Sequence, residues 1–470
     1  MKPNALLPDR WPALRHRQRL SAAVAGSLVA TTVTVLLAGN LACRRAASSP
    51  VAETTGLALE QFRPRAMLKV AEHRLSRAKF PVVDVHTHFL YRFKHAPEQL
   101  DAFVDLMNRH QIAVCVSLDG TLGNGFDEHQ RYLSRYADRF ILFANIDWRG
   151  TGDADDPATW DCQRSDFAHR VVLQLQAAQQ AGAAGLKIFK QLGLNYRNPD
   201  GSLVAIDDPR WDPIWSACGQ LGLPVLMHVA DPAAFFLPVD PTNERWEELH
   251  RHPDWSFYGP RFPSREALWE ARNRVIARHS QTIFIGAHVA SNAEDLATVA
   301  QWLEAYPNLY IDFASRIGEL GRQPYSARDF LVKYADRILF GTDGPWPEPR
   351  VSLYWRFLET KDEYFPYSEK DFPPQGLWQI YGVGLPDEVL QKIYYQNAAR
   401  LIPGVAEKLA RWQATRPPPE ASGPASGPSP VSHAELVVRE TGRVPRQASL
   451  QSPPLTAPES IPSNQGSIHE

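Results

Sequence analysis

Five residues able to ligate a metal ion stand at or just past the downstream ends of short apolar runs. His86 and His88 close Val82-Val83-Asp84-Val85-His86-Thr87-His88, and His228 closes Leu223-Pro224-Val225-Leu226-Met227-His228. His288 closes Ile283-Phe284-Ile285-Gly286-Ala287-His288, and Asp343 closes Ile338-Leu339-Phe340-Gly341-Thr342-Asp343. Imidazole and carboxylate are ligands that a Zn²⁺-like ion accepts, with Zn–N near roughly 2.1 Å. Side chains alternate across a strand, so the two histidines of His-x-His point the same way and can reach one ion. Asp84 shares their face one step deeper, where a buried, hydrogen-bonded carboxylate that supports the histidines fits better than a ligand. Taken alone, His-x-His fits two partly buried histidines equally well. Ligand types at three further strand ends argue for a metal site.

For residues up to about 250 positions apart to share one ion, their strand ends must meet. Short apolar runs alternating with helical patterns argue for a parallel sheet. In a closed (β/α)8 TIM barrel the downstream strand ends converge on one face, where the chemistry is done. Strands are expected at 82–86, 112–118, 140–146, 184–189, 223–228, 282–287, 308–313 and 337–342. Helices are expected at 97–110, 125–137, 165–182, 209–221, 264–279, 292–305, 325–335 and 387–401. Gly182 and Gly222 stand where helix C-termini stop. Long insertions are expected after strands 5 and 8. The first carries Phe235, Phe236, Trp246, Trp255, Phe257 and Tyr258, and the second carries Trp346, Tyr354, Trp355, Tyr364, Tyr367 and Trp378. Long ordered loops tend to be functional. Such aromatics either wall a ring-shaped substrate or pack the insertions onto the barrel.

The set Asp84-Val85-His86-Thr87-His88, His228, His288 and Gly341-Thr342-Asp343 resembles the amidohydrolase superfamily. More closely it is similar to the amidohydrolase-related (amidohydrolase family 2) branch that includes aminocarboxymuconate semialdehyde decarboxylase. The likeness runs from about residue 80 to about residue 403 and includes the closing segment Ile393-Tyr394-Tyr395-Gln396-Asn397-Ala398-Ala399-Arg400. It implies a metal-dependent TIM barrel with one divalent ion, expected to be Zn²⁺. The implied ligands are His86, His88, His228 and Asp343, with His288 catalytic, close to the substrate and the activated water. It fixes fold and metal better than reaction, because one barrel hosts many chemistries.

Two cations near strand ends are candidates for substrate binding. Lys187, at the end of strand 4, fits a contact to substrate or to the ligand cluster, a structural ion pair, or, as in two-metal relatives, a carboxylated bridging ligand. Arg316, just past strand 7, can grip a carboxylate with two hydrogen bonds. Asn273 and Arg274, on the helix before strand 6, are weaker candidates.

A metal-activated water, with Asp343 taking its proton and His288 polarising a carbonyl, gives hydrolysis of an amide, ester or lactone of a small, open-chain or cyclic substrate. The same metal could instead hold a small carboxylic acid for non-oxidative decarboxylation, a carboxy-lyase reaction. A non-catalytic exported barrel that only binds ligand is the remaining alternative, and the complete ligand set argues against it.

The rest of the chain is accounted for by its ends. At 470 residues it exceeds the roughly 250 of a plain barrel. The catalytic domain is placed at 79–405. Arg10, Arg15, Arg17 and Arg19 precede an uncharged stretch from Leu20 to Cys43, the pattern of an export signal. Residues 1–43 are read as a signal peptide, a lipoprotein signal ending at Cys43, or a membrane anchor, since the stretch is long enough to span a bilayer. Each places the domain across the bacterial inner membrane, membrane-anchored or periplasmic. Residues 44–78 read as a linker, and 415–470 as a Pro/Ser-rich tail unable to offset its ordering entropy. Cys115, Cys162 and Cys218 are expected as buried free thiols. Hydrophobic and charged fractions of 44% and 22% are ordinary for a globular chain. A net charge of −2 with no basic patch gives no nucleic-acid footprint. The expected partners are a small-molecule substrate and, through the N-terminal segment, a membrane.

Overall fold

The first strand, β1 (Val82–Thr87), is buried at every position, as are β2 (Ile112–Ser117), β3 (Phe140–Asn145) and β4 (Ala183–Ile188). Strands covered on both faces read as continuous apolar runs and belong to parallel sheets. The computed structural model describes residues 56, 62, 64–370 and 373–415. It continues the series with β5 (Val225–Met227), β6 (Phe284–Gly286), β7 (Leu309–Asp312) and β8 (Ile338–Leu339). All neighbours pair in parallel, in the order β1 to β8. β8 returns to β1 through Val85 N–H to Phe340 O (2.9 Å) and Asp343 N–H to His86 O (2.8 Å). The architecture is a (β/α)8 TIM barrel.

Helices α1 (Pro97–His110), α2 (Asn124–Leu133), α3 (Phe167–Gln180), α4 (Asp212–Leu221), α5 (Arg265–Arg278), α6 (Leu296–Ala305) and α7 (Pro324–Lys333) lie between successive strands. Pro at N1 starts α1, Ser264 caps α5 through the Ala267 N–H, and left-handed Gly222 ends α4. Helix α6 starts later than its apolar pattern predicts, because the Asp295 side chain accepts from the Thr298 N–H and sets the cap there.

Three strands are shorter than their apolar runs. Pro224 has no N–H to give, so β5 begins after it. β6 stops before four residues that turn left-handed. At β8 the Phe340 N–H leaves the ladder for the carbonyl of Ile393 (3.0 Å), in a π turn at Lys392–Gln396. A buried cluster containing Phe143, Leu226, Ile285 and Leu339 extends to Leu409 and Trp412 of the last helix, Val405–Ala414, which packs on β2. Cys115, Cys162 and Cys218 are buried free thiols.

Between β5 and α5 the chain makes three short helical turns, Ala233–Phe236, Trp246–Arg251 and Pro253–Trp255. Beyond β8 come α8 (Glu348–Glu359) and a small ladder pairing Phe365–Pro366 with Gln379–Ile380. Residues 1–43 and 416–470, to which the export segment and the tail were assigned, lie outside the described residues. Among the described residues no helix is long and apolar enough to cross a membrane.

Candidate functional site

Two carboxylates at strand ends set the orientation of the His-x-His pair. Asp312, the last residue of β7, receives the His86 ring Nδ1 at 2.9 Å, and Asp119, just past β2, receives that of His88 at 2.8 Å. An ionised carboxylate only accepts, so each Nδ1 donates and each Nε2 keeps its lone pair for the site. Asp119 is itself held by the Leu90 N–H (2.8 Å), and Asp312 by the N–H groups of His288 (2.9 Å) and Ala314 (3.0 Å). Burial works against the charge on Asp119, but His88 outweighs it and holds the carboxyl below its usual range.

Asp343 enters from the end of β8. Its Oδ1 lies 3.8 Å from His86 Nε2 and 3.7 Å from His88 Nε2. Together the three atoms lie within 4.8 Å of one another. Ligands of a tetrahedral ion with bonds near 2.1 Å are separated by roughly 3.4 Å, so the donor set fits one small divalent ion. The backbone of Asp343 is left-handed (φ 64°). It is held there by its N–H to His86 O and by Arg92 Nη2 on its own carbonyl at 2.7 Å. Ser315 Oγ donates to Oδ2 at 2.9 Å, which leaves Oδ1 to face the histidines.

Asp84 lies beneath this cluster as a fully hydrogen-bonded carboxylate. Thr342 Oγ1 donates to Oδ2 at 2.5 Å, and the N–H groups of His86 and Thr342 each donate to Oδ1 at 3.1 Å. Burial raises its pKa to about 7 despite these donors.

The remaining expected residues are placed around the cluster. His228 is outside the three-atom group. Its ring packs 4.4 Å from that of His288, and its Nε2 is 3.3 Å from Asp231 Oδ1. Asp231 in turn pairs with Lys190 at 2.8 Å. Burial opposes the charge of Asp231, but Lys190 and His228 more than offset it and hold the carboxyl well below the carboxylate range. His288 holds its Nδ1 against the carbonyl of Ala314 at 2.8 Å and lines the cavity. Lys187 is buried and places its Nζ 3.3 Å from His86 Nε2, inside the cluster rather than on the cavity wall. Arg316 does line the cavity. Asn273 and Arg274 stand apart from it, Asn273 accepting from Arg272 and Arg274 pairing with Asp207 at the surface.

Above the cluster opens a cavity of about 540 Å³. Asp343, His228 and His288 line it, with Phe235 and Trp255 from the connection after β5 and Trp346 and Tyr367 from the segment after β8. Tyr354, Trp355 and Phe357 are instead buried in packing. Asp119, Asp312, Arg92, Ser315 and Arg350 were not singled out from sequence. The two aspartates carried the same signal as Asp343, a carboxylate at the end of an apolar run. Ser315 carried none, since only the fold brings it to Asp343.

A family model described as amidohydrolase matches residues 83–404. No curated protein matches the chain. Among solved structures, 2,6-dihydroxybenzoate decarboxylase from Rhizobium is 17% identical, with 69% of this chain and 98% of that one covered and a TM-score of 0.40. A dihydroxybenzoic acid decarboxylase from a Polaromonas species, with bound manganese and 2-nitroresorcinol, is 15% identical, with 72% and 98% covered and a TM-score of 0.40. 4-Oxalomesaconate hydratase from Rhodopseudomonas palustris is 13% identical, with 71% and 98% covered and a TM-score of 0.38. Similarity at this level carries no inference about the reaction.

Proposed function

The chain belongs to the amidohydrolase family, and on that premise we propose that it is a metal-dependent hydrolase acting on an amide, ester or lactone of a small substrate. One observation carries this reading: His86 Nε2 and His88 Nε2 lie 3.7–3.8 Å from Asp343 Oδ1 beside a cavity large enough for a small molecule. These residues would hold one divalent ion, expected to be zinc; His228, outside the three-atom group with its Nε2 toward Asp231, is the expected fourth ligand through its other ring nitrogen. When bound, such an ion supplies Lewis acidity and makes hydroxide available near neutral pH.

The residues of the chain divide the remaining work. Asp343, its Oδ2 fixed by Ser315, accepts the proton of the attacking water and returns it to the leaving group. His288 donates through Nδ1 to a peptide carbonyl, so its neutral Nε2 is an acceptor on the cavity side. A proton taken up there from solvent before the reaction, and kept through it, lets that nitrogen donate to the developing oxyanion. Phe235, Trp255 and Trp346 exclude water and bound the substrate.

Non-oxidative decarboxylation is the second reading. It is favoured by Arg316, a cation on the cavity wall to which a substrate carboxylate can bind. A panel of lactones, esters, amides and aromatic acids separates the two. Hydrolysis incorporates oxygen-18 from labelled water and releases no carbon dioxide. Carbon dioxide release with no label in the product would replace the first reading by the second.

A further inference from the structure

The cations that line the cavity are not equally satisfied. Lys190 pairs with Asp231, and Arg245 pairs with Glu248 and Glu319. Arg316, Arg350 and the exposed Lys370 line the same cavity, and among the described residues none of the three forms an ion pair. The one side-chain hydrogen bond of Arg316 goes to the carbonyl of its neighbour Ser315 (3.0 Å), although its side chain is only 8% exposed. Arg350 lies flat on the indole of Trp346, 3.5 Å from the ring centre, and Arg92 meets the same indole at 3.8 Å. Stacking fixes a guanidinium plane but leaves its N–H fork available in that plane. A buried charge without a counter-charge is costly. Arg316 is buried and Arg350 half-buried, and although the Asp343 carboxylate acts on Arg350, neither guanidinium holds it in an ion pair, so both can take an anion brought in by the ligand. Phe235, Trp255 and Leu353 give the cavity an apolar side, beside polar residues such as Ser368, Glu369 and Gln375, and that side suits a carbon body rather than a free inorganic ion.

We propose that Arg350 and Arg316 form an anion-binding end of this cavity that takes the carboxylate of an apolar-bodied organic acid. The proposal rests on the cavity being the substrate site, and it holds for either reaction above. A hydrolysed substrate would then carry a carboxylate besides its scissile bond, and Arg350 would select for it.

Benzoate and its neutral analogue benzamide test this by calorimetric titration of the full chain, in metal-loaded and chelator-treated form. Benzoate should bind at least about tenfold more tightly than benzamide in both forms, as expected for charge-assisted hydrogen bonds. Arg350→Gln and Arg316→Gln should each weaken benzoate about tenfold or more, leave benzamide within about twofold, and retain the wild-type metal content. Arg350→Lys, which keeps the charge but not the fork, should fall between, and it carries the test if Arg350→Gln does not fold. Equal binding of the two probes, or benzoate affinity unchanged in these variants, overturns the proposal. So does inorganic phosphate binding more tightly than benzoate. Loss of metal binding in the wild type with Arg-dependent benzoate binding intact would instead overturn the metal-dependent reading and leave this one standing.

Discussion

An imidazole that donates to a carboxylate differs from one that donates to a peptide carbonyl. Asp312 and Asp119 make His86 and His88 more basic at Nε2 and fix their rings, as ligands need. His288 sets its Nδ1 against the neutral Ala314 carbonyl rather than a carboxylate, which suits a group that takes up and gives back a proton. His86→Ala should therefore lose the ion, and His288→Asn should keep it while turnover falls by roughly 10²–10⁴. Elemental analysis of the purified variants beside their steady-state rates checks both, and an ion-free His288→Asn would move that residue among the ligands. A second histidine reports on stability. His129 is fully buried between Ser117 Oγ (2.7 Å) and His95 (3.2 Å), and burial lowers its pKa from 6.5 to about 4. Between those values the unfolded chain binds the proton and the folded one does not. Its contribution is thus complete above about pH 6.5 and is lost as pH falls toward 4, on the order of 3 kcal/mol in all. Thermal melts across that window should show the loss, and His129→Gln should flatten the slope.

At the scale of elements, the turn after β6 is the most constrained feature of the site. His288, Val289, Ala290 and Ser291 all have φ between 51° and 61°, a conformation that costs roughly 1–2 kcal/mol per non-glycine residue. Arg272 Nη1 on the Ala290 carbonyl (2.6 Å), Asp312 on the His288 N–H and Ser291 Oγ on the Ala230 N–H (3.3 Å) hold it. The connection after β5 is held by a different device. Buried Arg245 reaches Glu319, in the helix Ile317–Arg322 beyond β7, and also Glu248 at 2.7 Å. Removing one partner of a buried pair strands the other charge. Arg245→Ala, which leaves buried Glu319 without its partner, should therefore cost roughly 3–5 kcal/mol, read as a shift in the denaturant midpoint, and an unchanged midpoint would show that the pair is not what anchors this wall. The strands were legible because each lies within a short apolar run set between helical patterns. The left-handed turn was not, because no glycine marks it.

For the whole molecule, we propose that residues 1–43 export the barrel and leave it attached to the membrane. The full chain expressed in a bacterium should fractionate with membranes, and a chain lacking 1–43 should be soluble and fold to the same melting temperature. Cys43→Ala should abolish lipid labelling. Membrane association with no labelling of the wild type would favour a spanning helix instead.

Hydrophobic periodicity by itself determined an alternation of strands and helices and hence a parallel sheet, because local pattern dictates strand and helix and right-handed crossovers leave few ways to connect them; that the sheet closes into a barrel was what the resemblance carried by the strand-end residues implied. It also placed His86, His88, His228, His288 and Asp343 on one face, because every strand of such a barrel ends there. Which of them converge was decided only by the tertiary structure. Distances of 3.7–3.8 Å from Asp343 Oδ1 to His86 and His88, and the position of His228 against His288 and Asp231, depend on strand register and on carboxylates from other strands. Ser315 at Asp343 has no counterpart in any local pattern, since the contact spans two strand ends, and the stack of Arg350, in the first turn of α8, on Trp346 of the preceding loop depends on how that loop enters the helix.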